Sequence, residues 1–126
     1  MKHKSGNIIV EAFVETCKDI KRKNKIIPKA ARLLKEGGEE VKWTAVKILG
    51  EISTDKTTEI LLSALETESF EDIKISIIEQ LSAHLHEEKV SQAIILIGND
   101  PNPLVREKVR EVLQIEVEFN KFYGGK

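Results

Sequence analysis

The chain has 126 residues, enough for one domain with a continuous apolar core and too few for two independent globular domains. With 40% hydrophobic and 33% charged residues and a net charge of −1, its composition is that of a water-soluble folded protein, and no apolar run reaches the roughly 18 residues of a membrane span. The polar, basic start lacks the apolar segment of a secretory signal, and a single cysteine excludes an internal disulfide, so we expect a cytoplasmic protein.

Charge is distributed unevenly along the chain. Residues 1–36 hold ten Lys or Arg and four acidic residues, a net charge of +6, whereas residues 37–126 hold ten basic and seventeen acidic residues, a net charge of −7. This segregation bears on binding partners rather than on the fold. The basic start of one copy would attract the acidic remainder of another, so we expect a monomer or a weak homo-oligomer.

Apolar residues recur every 32 positions, which predicts an internal repeat. Three columns of the repeat stand four residues apart, so they share one face of a first helix in each unit. These columns are Ile9, Val41, Ile73 and Val105, then Phe13, Ala45, Ile77 and Val109, then Cys17, Leu49, Leu81 and Leu113. Two later columns, three residues apart, predict a buried stripe on a second helix. They are Ala30, Leu62 and Ile94, and Leu33, Leu65 and Ile97.

The repeat predicts an all-α fold in which about four helical hairpins stack as an α–α superhelix, the last hairpin being incomplete. Stacking is required because a single hairpin buries too little apolar surface to offset the entropy cost of ordering its backbone. We expect one domain, 1–126, with repeats at about 6–37, 38–69, 70–101 and 102–120 and a tail at 118–126.

Turn and cap residues stand near the predicted helix boundaries. Glycines are expected where helices end, and prolines at or near helix starts, where a missing N–H costs little. These residues are Gly37, Gly38, Gly98, Pro28, Pro101 and Pro103. Asp55 is expected to cap the second helix of the second repeat, and Ser69 with Asp72 has the spacing of a capping box that opens the third.

Two stretches of the chain resemble HEAT repeats, namely LGEISTDKTTEILLSAL at residues 49–65 and NDPNPLVREKVREVL at residues 99–113. Both are similar in particular to the short HEAT-like repeats named after phycobilisome lyases, in which an Asp-Pro turn leads into a Val-Arg pair, and the second stretch has that arrangement. The matching residues are Asp100, Pro101, Val105 and Arg106. The resemblance covers roughly residues 8–117 and implies a HEAT-like solenoid.

Earlier repeats depart from this pattern, because Lys42 and Lys74 stand where the family has Arg. The resemblance implies a ladder of buried contacts between acidic residues and Arg. We expect a weaker ladder in this chain, since Lys cannot make a bidentate contact.

Residue types that often carry catalysis form no catalytic pattern. Cys17 shares its column with leucines and has no motif that would supply a base, so core packing is favoured. His84 and His86 would point about 200° apart on a helix, which favours solvated or helix-end histidines over metal ligands. We therefore predict no catalytic residue, no metal site and no cofactor.

The basic stretch from Lys18 to Lys35 is the candidate binding surface. Lys25, Lys29 and Arg32 line one side of the predicted second helix, where they would bind phosphates or an acidic protein, and Lys21 to Lys23 crowd the turn before it. A solvated terminal cap is the alternative. No aromatic residue interleaves the charges, so duplex or protein contact is favoured over single-strand binding. The residues of this surface are Lys21, Arg22, Lys23, Lys25, Lys29, Arg32 and Lys35.

Two groups of apolar residues are candidate contacts. Trp43 and Ile75 share a column that holds Glu in the outer repeats, so they are either half-buried between neighbouring hairpins, which we favour, or an exposed patch used for binding. Phe119, Phe122 and Tyr123 are expected to fold back over the side of Leu113, with self-association or partner docking as the alternative.

The repeat, the lack of catalytic geometry and the segregated charge together predict a non-enzymatic scaffold that binds another protein and no membrane. The alternative is a nucleic-acid-binding protein that uses the basic repeat from Lys21 to Lys35. The resemblance to the lyase-type repeats implies a lesser alternative, an accessory lyase-type subunit.

Overall fold

The computed structural model describes the backbone of residues 20–119 and the side chains of residues 24–114. Within that range the chain forms α-helices, one short 3-10 helix and no β-strand, so the predicted all-α fold is confirmed. The helices are α1 (Ile20–Glu36), α2 (Glu39–Ile52), α3 (Asp55–Thr67), α4 (Glu71–Leu81), the 3-10 helix (Ser82–His84), α5 (Glu88–Ile97) and α6 (Pro103–Phe119). None of the helices in the described range combines the length and the apolar character that crossing a membrane requires.

The chain divides into two compact units, Met1–Thr67 and Glu68–Lys126. In the described part of the first unit, α1 packs against α2 and α3 contacts both. In the described part of the second unit, α4 packs against α6, and α5 also contacts α6. The division follows Thr67, two residues before the predicted end of the second repeat.

The core of the first unit contains most of the residues that the repeat pattern predicts. Ala45 and Leu49 on α2 are fully buried, and Ala30 on α1 and Leu65 on α3 are buried with them. Leu62 on α3 is half-buried.

Two predicted core residues of the first unit, Leu33 and Val41, are exposed. The buried stripe of α1 runs through Ile27, Ala30 and Leu34, so that Leu33 lies beside it. Val41 is in the first turn of α2, at the corner of the α1–α2 hairpin. Both predictions of burial were wrong, because Leu33 lies to one side of the buried stripe and Val41, although on the buried face of α2, is too near the start of that helix to be covered.

The core of the second unit follows the repeat closely. Ile73, Ile77 and Leu81 on α4 face the core together with Val105 and Val109 on α6, and all five are buried. Ile94 on α5 is fully buried. Leu113 and Ile97, which the pattern also predicts as core, are half-buried. The predicted core residues Ile9, Phe13 and Cys17 lie outside the described residues.

Helix α1 corresponds to the predicted second helix of the first repeat, but it begins earlier in the chain than predicted. Lys21, Arg22 and Lys23 lie inside α1 rather than in a turn, and Pro28 lies in the helix interior rather than near its start. Lys and Arg are good helix formers, which favours extension of the helix through this segment. Pro28 removes the hydrogen bond to the carbonyl of Asn24. Both residues are exposed, so water can replace that bond.

Two helix starts use different caps from those predicted. The Thr57 N–H donates to Thr54 Oγ1 at 3.2 Å and the Thr54 N–H donates to Thr57 Oγ1 at 2.8 Å, so Thr54 caps α3 and Asp55 is its first residue. This is a capping box with Thr in place of Glu at its second position.

The predicted capping box of Ser69 with Asp72 is absent, because Phe70 is the N-cap residue of α4 and makes no side-chain cap. The buried Glu68 carboxylate instead accepts hydrogen bonds from the N–H groups of Ser69, at 3.1 Å, and Phe70, at 3.0 Å. Glu68 therefore stabilises the turn before α4 and does not cap the first N–H groups of the helix.

Candidate interaction surface

Four basic residues on α1 form the described part of the candidate binding surface. Lys25, Lys29, Arg32 and Lys35 are all exposed. Lys21, Arg22 and Lys23 precede them on the same helix, and their side chains lie outside the described range. Arg32 Nε lies 3.4 Å from Glu36 Oε1, with both side chains mostly exposed to solvent. Such a contact is weak and leaves the guanidinium accessible.

Exposed apolar residues continue this surface toward the hairpin corner. Leu33 is 40% exposed and stands four residues after Lys29 on the same side of α1. Val41, 41% exposed, lies just beyond the end of the helix. A Cβ atom built on Gly37 would lie 2.7 Å from the carbonyl oxygen of Leu33 and 2.6 Å from Val41 Cγ1, so both residues border Gly37. We call Lys25, Lys29, Arg32, Leu33 and Val41 the α1 face.

The predicted apolar contacts fall in separate places. Trp43 is exposed on α2, where Lys47 Nζ lies 5.3 Å from the centroid of its ring, within the range of a cation–π contact. Ile75 is half-buried on α4 in the other compact unit. Phe119 is the last residue of α6, and its side chain lies outside the described range, as do Phe122 and Tyr123 altogether. A binding role for any of these residues stays a prediction.

A buried ion pair joins α4 to the loop before α6. Lys74 Nζ lies 2.7 Å from Asp100 Oδ2, and the Asn102 N–H donates to Asp100 Oδ1 at 2.9 Å. Burial by itself would raise the pKa of Asp100. The hydrogen bonds from Lys74 and the Asn102 N–H, together with nearby positive charge, outweigh burial and hold the pKa of Asp100 below its ordinary value.

Arg106 also supports this loop, through the backbone. Its Nη1 donates to the carbonyl oxygens of Asp100, at 2.9 Å, and Pro101, at 2.8 Å. The acid-to-base contact implied by the family resemblance is therefore present here with Lys74 as the partner, in the single-point form expected for Lys.

The start of α6 agrees with the predicted role of its prolines. Pro103 is the first residue of α6. The sequence interpretation missed Asn102, whose Oδ1 accepts hydrogen bonds from the N–H groups of Leu104, at 2.8 Å, and Val105, at 3.2 Å. The signal was available, since Asn before Pro is a common helix start.

His84 and His86 are closer together than helical spacing predicts. His84 ends the 3-10 helix and His86 follows it in a turn, so that their ring centroids lie 6.2 Å apart. Glu87 Oε2 lies 3.0 Å from His84 Nδ1 and 3.9 Å from His86 Nε2. Between residues 24 and 114, no set of three or more His, Cys, Asp or Glu side chains is arranged to hold a metal ion.

Three strongly exposed apolar residues near the α5–α6 loop were not predicted. Ile95, Leu96 and Leu104 are 58%, 73% and 57% exposed. One repeat earlier, the corresponding residues are Ser63, Ala64 and Asp72, which are small or polar. Comparison of these positions between repeats could have identified the three residues from the sequence, because the repeat does not require an apolar side chain there.

A protein-family model described as HEAT repeats matches residues 27–114, which is more than half of the chain. No curated protein and no solved structure matches the sequence of this chain.

Proposed function

Because the chain belongs to the HEAT-repeat family, we propose that it is a non-enzymatic scaffold that binds another protein. Repeat proteins of this kind present extended surfaces to their partners. The observation that carries the proposal is the exposure of large apolar side chains outside the core, above all Leu96, with Ile95 and Leu104. Exposed apolar residues at positions where neighbouring repeats have small or polar ones are typical of protein-binding surfaces.

Affinity capture from extract of the native cell tests the scaffold proposal. We expect the full chain to retain one or a few proteins after nuclease treatment, and a Leu96→Ser/Leu104→Ser variant or an α1-face variant to lose them. Circular dichroism at 222 nm checks that each variant is still folded. Capture of nothing beyond what an immobilised control protein retains would contradict the proposal.

A second candidate function is nucleic-acid binding, favoured by the exposed Lys25, Lys29, Arg32 and Lys35 on α1. Titration against duplex DNA and RNA at two salt concentrations tests it. We expect an affinity that falls steeply with salt and collapses in a variant with Lys25, Lys29 and Arg32 changed to Glu. Absence of binding at low salt would remove this candidate.

A lesser alternative is an accessory lyase-type subunit, supported by the resemblance of residues 99–113 to the repeats named after phycobilisome lyases. Incubation with a bilin pigment tests it, with a shift of the pigment's absorbance as the expected result. A cytoplasmic location also stays a prediction, supported by the presence of a single cysteine.

A further inference from the structure

We propose that the α1 face binds an acidic amphipathic helix of a partner protein, with two carboxylates on Lys25 and Lys29 and a large apolar side chain between Leu33 and Val41. The inference rests on the proposed scaffold function and adds the chemistry of the partner. It concerns the first compact unit only.

The α1 face has its charges and its apolar residues in one line. Lys25, Lys29 and Leu33 are spaced by four residues, so they follow one side of α1. The Gly37 N–H donates to the carbonyl oxygen of Leu33 at 2.8 Å, which continues the helical hydrogen-bonding pattern to the corner. Val41 Cγ1 borders Gly37 at that corner. The surface therefore changes from basic to apolar within a few helical turns.

Lys25 and Lys29 differ from Arg32 in their contacts with described carboxylates. No carboxylate among residues 24–114 pairs with Lys25 or Lys29, whereas Arg32 contacts Glu36. Residues four apart on a helix stand roughly 6 Å apart along its axis. Glu or Asp side chains at the same spacing on a partner helix would match the two Lys residues, and an apolar residue one further turn along would reach Leu33.

The apolar residues favour a protein over a nucleic acid. A phosphate backbone is bound by charge and hydrogen bonds, and it gains nothing from contact with Leu33 or Val41. The described part of α1 also offers no aromatic ring on which a base could stack. An amphipathic acidic helix uses both halves of the face.

A defined peptide tests the proposal. The probe is a fluorescein-labelled helical peptide of about 20 residues with two Glu four positions apart and Leu four positions further on. One control peptide has this Leu changed to Ser, a second has both Glu changed to Gln, and a duplex DNA of similar length is the third. Fluorescence anisotropy with the full chain is expected to give a Kd on the order of tens of micromolar for the probe, and weaker binding for all three controls.

Variants of the protein locate the site. We expect Leu33→Ser to weaken peptide binding about tenfold and Lys25→Glu/Lys29→Glu to weaken it at least as much. Matched controls are Lys56→Glu, an exposed lysine on α3, and Phe70→Ser, an exposed apolar residue of the other unit, and each should change the affinity less than about twofold. Thermal unfolding of every variant checks the fold.

Three results would overturn the proposal. They are no peptide binding at 0.1 mM probe concentration, peptide binding that Leu33→Ser leaves unchanged, and tighter binding of DNA that depends on Lys25 and Lys29 but not on Leu33. The last result would show that the α1 face binds the phosphates of a nucleic acid. If affinity capture retains a partner protein that Leu33→Ser does not release but Leu96→Ser/Leu104→Ser does, the scaffold function stands and this inference fails.

Discussion

Lys74 and Asp100, 26 residues apart in sequence, meet at 2.7 Å and tie α4 to the loop that precedes α6. The Asp100 carboxylate is buried, so its charge is stabilised by protein groups rather than by water. This contact makes Lys74 a structural residue of the second compact unit, although lysine is usually a surface residue.

Replacement of Lys74 by Met should destabilise the second unit by about 3 kcal/mol, because it leaves the buried charge of Asp100 without its nearest partner. Urea unfolding followed by circular dichroism measures the change. The double variant Lys74→Met/Asp100→Asn should lose less free energy of unfolding than the two single variants together, because it leaves no uncompensated charge at Asp100. A loss below about 0.5 kcal/mol for Lys74→Met would mean that water replaces the lysine.

The lowered pKa of Asp100 predicts an acid-dependent loss of stability. A carboxyl group with a folded pKa below its unfolded value near 4 contributes stability that is fully present above pH 4 and is lost as the pH falls through the folded pKa. The difference in free energy of unfolding between the wild type and Asp100→Asn should therefore be constant from pH 7 to about 5 and shrink below about pH 4. Other carboxylates titrate in both proteins and largely cancel. A difference that persists unchanged to pH 2 would contradict this assignment.

Gly37 and Gly38 are adjacent and should respond differently to alanine. A Cβ on Gly37 would lie 2.6 Å from Val41 Cγ1 and 2.7 Å from the Leu33 carbonyl oxygen, so Gly37→Ala should cost about 1 to 3 kcal/mol. Gly38 has no atom within 4 Å of such a Cβ. Loss of glycine at the N-cap is partly offset by the lower entropy of the unfolded chain, so Gly38→Ala should cost only about 0.5 kcal/mol or less. Thermal and urea unfolding of the pair would measure both effects, and equal losses would show that the close approach at Gly37 relaxes without cost.

The sequence predicted the interior of the helices better than their ends. Residues such as Ala45, Ile77 and Val109 are buried as predicted, because the repeat places them mid-helix against a neighbouring helix. Leu33 and Val41 satisfy the same periodicity, but Leu33 lies beside the buried stripe of α1 and Val41 is in the first turn of α2, and both are exposed. Coverage depends on tertiary packing, which periodicity does not specify.

The candidate site was predicted in its charged half only. Lys25, Lys29 and Arg32 were recognised because a run of basic residues is visible in the sequence. Leu33 was assigned to the core by the repeat, so its place beside those charges could not be seen. The cap formed by Thr54 was missed for a related reason, since a shift of one residue in a helix start changes which side chain reaches the free N–H groups.

The hydroxyl group of Ser76 on α4 is buried without a hydrogen-bond partner among the described residues. A buried unsatisfied hydroxyl costs free energy, and Ala has the higher helix propensity, so Ser76→Ala should leave stability unchanged or raise it by up to about 1 kcal/mol. The matched control is Thr57→Val, which keeps the volume of a buried side chain but removes its hydrogen bonds with Thr54 at the start of α3. That change should cost about 1 to 2 kcal/mol. Urea unfolding of the two variants compares them directly, and a loss of more than about 1 kcal/mol in Ser76→Ala would show that the Ser76 hydroxyl is hydrogen-bonded in solution.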